Sequence, residues 1–316
     1  MQVKRPLIYV CLFVAVVLAG DRALSYVGDV LLFRSQSRYS RLYDGRAQAE
    51  ILFLGNSRGV HSFHAPSVAA ATGRETINLS YNALPPTIAE ALLNDYIDRN
   101  GRPKLLVLEV SNVRVSPEVI TELKPYTARS ERLAAIFQRE QETAYVATQV
   151  SPLFRLNGEM FFQNLRYLGR DDQNWVLHRR MSQALIDSVE QEEEMSFPEN
   201  MQFAPGLTEE EKDAKRRQIR AENLIALAAM VKAAQGQDIQ VRVMIAPYWP
   251  AFRRKIAEWD AVLATIQTAI GPETRLWDYS LALDDPACFA DRIHPNALGA
   301  EQLLARMQAD GFFEEE

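Results

Sequence analysis

The sequence predicts an α/β fold: a doubly wound parallel sheet of about five strands carrying a largely helical insertion. Apolar runs of strand length recur at 50–54, 75–79, 104–110, 239–245 and 275–279, with helix-patterned segments between them. Alternation of this kind builds a parallel sheet, whose strands are covered on both faces and therefore read as continuous hydrophobic stretches. The chain is also long enough. Its 316 residues, 47% hydrophobic and 24% charged, suffice for one large α/β core plus an insertion, and nothing marks disorder.

Lys4 and Arg5 precede an uncharged apolar run, Leu7 to Ala19, bounded by Asp21 and Arg22. This is an export segment, with the basic residues holding the amino terminus in the cytoplasm. The run is shorter than the roughly 20 residues that a bilayer core of about 30 Å requires, which suits a signal peptide. The helical pattern continues through Ala23 to Phe33, however, which favours an uncleaved single-pass anchor over residues 1–33, with the remainder of the chain outside the cytoplasm. Cleavage near Ala19-Gly20, giving a secreted protein, is the alternative. A basic connector over 34–49 follows.

Residues 50–316 form the expected α/β domain. The first strand, Glu50 to Leu54, stops at Gly55, where the backbone can turn sharply, so Ser57 lies just beyond a strand's carboxyl end. Ligands bind at that edge in open α/β sheets. Taken alone, Gly-x-Ser is equally an ordinary turn. The next strand, at 75–79, leads to a helix at 86–98 and a strand at 104–110. An insertion spans 113–212, too long for a structureless connection. Its aromatics Phe154, Phe161, Phe162, Tyr167 and Trp175 suit a satellite core, a lid, a sugar-stacking wall or a membrane-facing surface. Glu190 to Glu194 and the Pro- and Gly-punctuated stretch to Gly206 read as a mobile, solvated connector. Thr208-x-x-Glu211 is a capping box opening a helix to about Ala234. A strand at 239–245, a helix at 252–269 and a strand at 275–279 complete the sheet. Ser57 after the first strand and His294 after the last suit a flavodoxin-like order that unites the two across the crevice.

A serine hydroxyl needs an imidazole within hydrogen-bond reach, itself oriented by a carboxylate, to act as a nucleophile. Asp291 and His294, three residues apart, can supply both. Pro295 and Asn296 then mark a helix start, with an apolar stripe from Ala297 to Leu304. Asp-x-x-His by itself would read as a capped surface loop.

Taken together, Gly55-Asn56-Ser57-Arg58, Asn78-Leu79-Ser80 and Asp291-Arg292-Ile293-His294-Pro295-Asn296-Ala297-Leu298-Gly299 resemble the ordered blocks of the SGNH (GDSL-type) hydrolase superfamily. More narrowly, the chain resembles the membrane-anchored bacterial branch related to polysaccharide O-acetyltransferases of the alginate type. The likeness covers about Glu50 to Asn112 and Gln237 to the end. It implies Ser57 as nucleophile, His294 as general base and then acid, and Asp291 as the residue orienting His294. It also implies an oxyanion hole of the Ser57 backbone N–H, a second backbone N–H and an asparagine side chain. Block two lacks the family's glycine, leaving Asn82 as the nearest donor. Block three is altered to Val110-Ser111-Asn112-Val113, where Asn112 either points its amide at the oxyanion or caps a turn. Asn56 replaces the usual aspartate before the serine.

Arg58 either binds a substrate carboxylate or carbonyl, or pairs with an acidic residue of the protein. Tyr248 and Trp249 follow a strand's carboxyl end and either stack on a sugar ring or pack within their loop. His61 and His64 lack accompanying ligands in recognisable spacing, so no metal is expected, and no cofactor. His178, beside Arg179 and Arg180, reads as part of a polar helix face. Cys11 and Cys288 predict no disulfide. A net charge of -6, without a basic stripe interleaved with aromatics, argues against nucleic acid as a partner.

The expected activity is a serine ester hydrolase or O-acyltransferase. The resemblance implies acetyl as the acyl group and an envelope or extracellular polysaccharide as the substrate. Two alternatives stand: a noncatalytic carbohydrate-binding or scaffold protein of an exopolysaccharide assembly complex, and an esterase of lipids or small acyl esters.

Overall fold

The computed structural model describes residues 4–172, 176–203 and 205–315. The chain divides into two compact units, one of Met1–Asp44 with Ile120–Asp172, the other of Gly45–Val119 with Gln173–Glu316. In chain order, α1 (Lys4–Arg34) and α2 (Arg38–Tyr43) precede β1 (Ile51–Leu54), α3 (Ser57–Ser62), α4 (Ala65–Thr72), β2 (Thr76–Asn78), α5 (Pro86–Asn100) and β3 (Leu105–Glu109). There follow α6 (Ile120–Leu123), α7 (Glu131–Glu140), α8 (Glu142–Val150), α9 (Glu159–Leu165), α10 (Gln183–Gln191) and α11 (Glu209–Gln235). The chain ends with β4 (Gln240–Ile245), α12 (Pro250–Arg253), α13 (Trp259–Ile270), β5 (Leu276–Asp278) and α14 (Ala297–Ala309).

The second unit carries a five-stranded parallel sheet in the order β2-β1-β3-β4-β5. This is the flavodoxin-like order, with its switch point between β1 and β3. Ile51 lies opposite Thr76 on one side and Leu105 on the other, Leu105 opposite Gln240, and Val243 opposite Leu276. Alternate residues serve opposite faces. Ile51, Phe53, Val107, Met244 and Trp277 join Leu303 and Met307 of α14 in one core layer, while Leu54 and Leu108 lie with Leu227 and Met230 of α11. Cover on both faces is why these strands read as unbroken apolar runs.

The capping box at Thr208 and Glu211 forms as expected. The helix expected over 252–269 does not run through: α12 ends at Arg253 and α13 starts at Trp259. Between them, Lys255 O accepts from Met195 N–H (2.7 Å) and Ala257 N–H donates to Met195 O (3.0 Å), so that stretch of backbone pairs sideways. The same contact corrects the expectation of a solvated connector after Glu190. Phe197 is fully buried against the Trp259 ring, 5.5 Å between centroids, and Asn200 N–H donates to Arg114 O.

The first unit is helical and has a core of its own around Tyr126. Its ring stacks on Tyr43 at 5.2 Å and lies near Tyr39 and Phe33, and its hydroxyl accepts from Asn164 Nδ2 at 2.6 Å. The segment expected as a connector therefore contains a helix, α2, because Tyr39, Leu42 and Tyr43 are needed for this core. Of the aromatics in 113–212, Phe161 is buried, Tyr167 half-buried and Phe162 exposed, while the Lys124 ammonium lies over the Phe154 ring. Trp175 lies outside the described residues.

Candidate active site

The serine turn is built at the switch point. Gly55 ends β1 where a Cβ would come within 2.7 Å of the Glu109 Cβ, so only glycine lets the chain pass the end of β3. Asn56 caps α3, its Oδ1 accepting from Arg58 N–H at 2.8 Å. Ser57 is thus the first residue of α3, half-buried, just past the carboxyl end of β1, the edge where ligands bind in open α/β sheets.

His294 arrives by a longer route. β5 is the far edge strand, and the loop after it returns across the sheet's carboxyl ends. Tyr248 N–H donates to Ser280 O (3.0 Å) and Trp249 N–H to Arg292 O (3.2 Å), which pins the loop to the end of β4. Ala290 N–H donates to His294 O at 2.9 Å, closing the turn that carries Asp291 and His294. Asn296 then caps α14 by accepting from Gly299 N–H, and Gly299 has no room for a Cβ, which would lie 2.2 Å from Cys288 O.

The structure brings the three residues together. His294 Nε2 is 2.8 Å from Ser57 Oγ, and His294 Nδ1 is 3.0 Å from both oxygens of Asp291. Asp291 Oδ1 also accepts from the N–H groups of Ile293 and His294, each at 3.0 Å. Burial works to raise the pKa of Asp291, but it is outweighed by the hydrogen bond and charge of the imidazole and by those two backbone donors. The carboxyl is held well below the usual carboxylate range. An exposed Arg179 adds a contact at 3.2 Å. The arrangement can pass a hydroxyl proton to an imidazole whose other nitrogen donates to a fixed carboxylate.

Arg58 does not face a ligand. Only 3% of its side chain is exposed, its Nε is 3.5 Å from Glu109 Oε1, its guanidinium stacks 3.3 Å from the Tyr248 ring centroid, and it donates to Ala246 O and Ile293 O. The acidic-partner alternative is what forms, and substrate binding by Arg58 is corrected. Tyr248 and Trp249 are corrected likewise: both are buried, Tyr248 between Arg58 and Trp259, Trp249 at the start of α12, so neither offers a ring face for stacking.

Asn112 is buried, with Nδ2 donating to Leu84 O at 2.6 Å, which braces the Tyr81–Leu84 turn. In that turn Ala83 takes φ 54, the left-handed conformation that glycine usually supplies. Asn82, beside it, is exposed. His61 is buried, its ring edge-on to that of His294 at 5.3 Å. His64 hydrogen-bonds Ser67 Oγ at 2.8 Å, and burial, then the nearby His178, lowers its pKa. His178 itself is exposed. Among the described residues no group of three or more His, Cys, Asp or Glu is placed to hold a metal ion.

Glu109 is the residue that sequence reasoning missed. Its side chain is fully buried; its Oε2 accepts from Ser111 Oγ (3.0 Å) and its Oε1 from Ala246 N–H (3.3 Å). Ser111 Oγ in turn accepts from Asn56 Nδ2 at 3.2 Å. An amide at 56 can donate to a hydroxyl whose proton is already committed to Glu109, which an aspartate there could not do. A charged residue closing the apolar run 105–108 was the available signal.

No protein-family profile matches the chain, and neither does any curated protein sequence. Among solved structures it is similar to a GDSL-like lipase from Bacteroides thetaiotaomicron, 10% identical, with a TM-score of 0.39 over 88% of this chain and 97% of that one. It is also similar to a protein from Streptococcus pneumonia provisionally named a platelet activating factor, 12% identical, with a TM-score of 0.38 over 96% of this chain and 98% of that one.

Proposed function

We propose that this chain is a serine-dependent ester hydrolase or O-acyltransferase working through an acyl-serine intermediate. The observation that carries it is the continuous line from Ser57 Oγ through the His294 ring to Asp291, with contacts of 2.8 and 3.0 Å. In this reading Ser57 Oγ attacks an acyl carbonyl while His294 Nε2 takes the hydroxyl proton. Asp291 holds the ring in the tautomer with its proton on Nδ1 and stabilises the imidazolium that forms. His294 then protonates the departing alkoxide as the ester C–O bond breaks. In the second half it deprotonates water or an acceptor hydroxyl, which takes the acyl group, and Ser57 recovers its proton. The Ser57 and Asn82 backbone N–H groups are the proposed oxyanion donors, with Asn112 supporting the Asn82 turn through Leu84. A donor of this kind typically supplies about 3–4 kcal/mol of transition-state stabilisation.

Acetyl as the acyl group and an envelope polysaccharide as the acceptor are the proposed chemistry, on the strength of the motif resemblance. An amino-terminal anchor is proposed with them, supported by a helix over Pro6–Arg34 whose apolar window has none of its residues buried. A fluorophosphonate probe tests the nucleophile: labelling of the wild type, lost in Ser57→Ala, is expected. Absence of wild-type labelling together with retained glycan binding would overturn the enzyme in favour of a carbohydrate-binding scaffold. Incubation with acetylated and deacetylated glycans, followed by mass spectrometry, separates transfer from hydrolysis, and free acetate alone would refute transfer.

A further inference from the structure

We infer that the helical unit of Met1–Asp44 and Ile120–Asp172 is seated in the outer leaflet of the membrane, with the exposed apolar face of α8 as its contact with lipid. The inference rests on the anchor reading and goes beyond it. The uncharged part of α1, residues 6–20, rises only about 22 Å at 1.5 Å per residue. A hydrocarbon core of about 30 Å is some five residues longer. The two exposed tyrosines of α1 mark the same span: Tyr9 (69% exposed) and Tyr26 (71% exposed) lie about 26 Å apart along the axis. Tyrosines gather at both water interfaces of a bilayer. With the outer interface at Tyr26, Asp21 and Arg22 fall inside it by about 7 Å.

The structure provides for that depth. The Asp21 side chain is only 13% exposed; it accepts from Ser151 Oγ and pairs with Arg22 Nη1 at 3.0 Å. A charge within the apolar layer is tolerated when it faces protein and is hydrogen-bonded there, as Asp21 is, while the half-exposed Arg22 has a stem long enough to carry its guanidinium toward the interface. Ser151 directly follows α8, so the end of α8 lies at the level of Asp21. There α8 presents Val146 and Val150, four residues apart on one face and 52% and 64% exposed. Leu24 and Val27 of α1 are exposed on the same stretch of the anchor, at 59% and 53%. Burial of about 5–10 Å below the interface is where amphipathic surface helices sit. The occupant of this face is therefore phospholipid.

The full chain tests this in vesicles of phosphatidylcholine and phosphatidylglycerol, with and without nitroxide-labelled phosphatidylcholine. An environment-sensitive dye is attached to native Cys11 in a Cys288→Ala protein, or to Val150→Cys in a Cys11→Ser, Cys288→Ala protein. Cys11 is exposed in the anchor and Cys288 is buried. The expected result is a drop of about twofold or more in emission at both positions when the nitroxide lipid is present. Quenching at 11 with water-like, unquenched emission at 150 would leave the anchor standing and overturn the seat. No quenching at either position would overturn the anchor, and the seat with it.

Discussion

Replacing Glu109 by Gln removes the negative half of a pair whose side chains are 0% and 3% exposed. Breaking such a buried pair from one side destabilises by about 3–5 kcal/mol, because the remaining charge stays in the interior uncompensated. Arg58 would keep the Ala246 and Ile293 carbonyls and the Tyr248 ring. The lower end therefore applies, about 3 kcal/mol. Trp249, Trp259 and Trp277 are buried in the sheet-bearing unit, so tryptophan emission during urea unfolding of the full chain reads that unit. With a slope of about 2–3 kcal/mol per molar urea, the midpoint should fall by about 1 M. Because Arg58 holds the carbonyl of Ile293, next to His294, fluorophosphonate labelling should slow as well. Replacing both partners by apolar residues, Arg58→Met with Glu109→Leu, should be less damaging than the two single losses added together, since no charge is left stranded. A Glu109→Gln midpoint within about 0.2 M of wild type would refute the argument that a carboxylate here neutralises Arg58.

Asp291→Asn should leave Ser57 and His294 in place yet lower the labelling rate by roughly four orders of magnitude, through loss of the required tautomer; a drop of less than tenfold in stopped-flow labelling would speak against its orienting role. Since the folded pKa of Asp291 is depressed below its ordinary 3.8, its contribution to stability is fully present above that value and is lost as pH falls toward the folded pKa. Urea midpoints measured between pH 7 and pH 3 should therefore decline less steeply below about pH 4 in Asp291→Asn than in the wild type. At Ala83, with φ 54, Ala83→Gly should be neutral or stabilising within about 1 kcal/mol, whereas Ala83→Val should be destabilising, because a β-branched residue resists the left-handed region. Equal unfolding midpoints for the two variants would contradict the backbone argument.

Parts of this molecule were legible because they follow from local rules. The runs at 50–54 and 104–110 announce strands since a doubly covered sheet demands apolar residues on both faces, and β1 and β3 lie there. Thr208 and Glu211 announce a helix start because a capping box satisfies donors within four residues of chain. The helix at 252–269 was misjudged because its interruption depends on Met195, about sixty residues earlier, and periodicity carries no record of such a partner. Tyr248 and Trp249 looked available at a strand end. The Tyr248 ring is enclosed by Arg58, Phe252 and Trp259, which converge from separate elements, and Trp249 is buried at the start of α12.

By itself, then, the order of residues determined which runs are strands, the turn that places Ser57 after β1, and the spacing that lets Asp291 grip His294, since each follows from residues a few positions apart. Only the folded chain decided how far Ser57 stands from His294 and what surrounds them. Position 294 follows the far edge strand, and its return to the switch point is set by backbone bonds at Tyr248 and Trp249 and by the Arg58–Glu109 pair. Those contacts join residues about 30 to 50 positions apart, and their energy comes from desolvation and close packing that exist only after the elements have met.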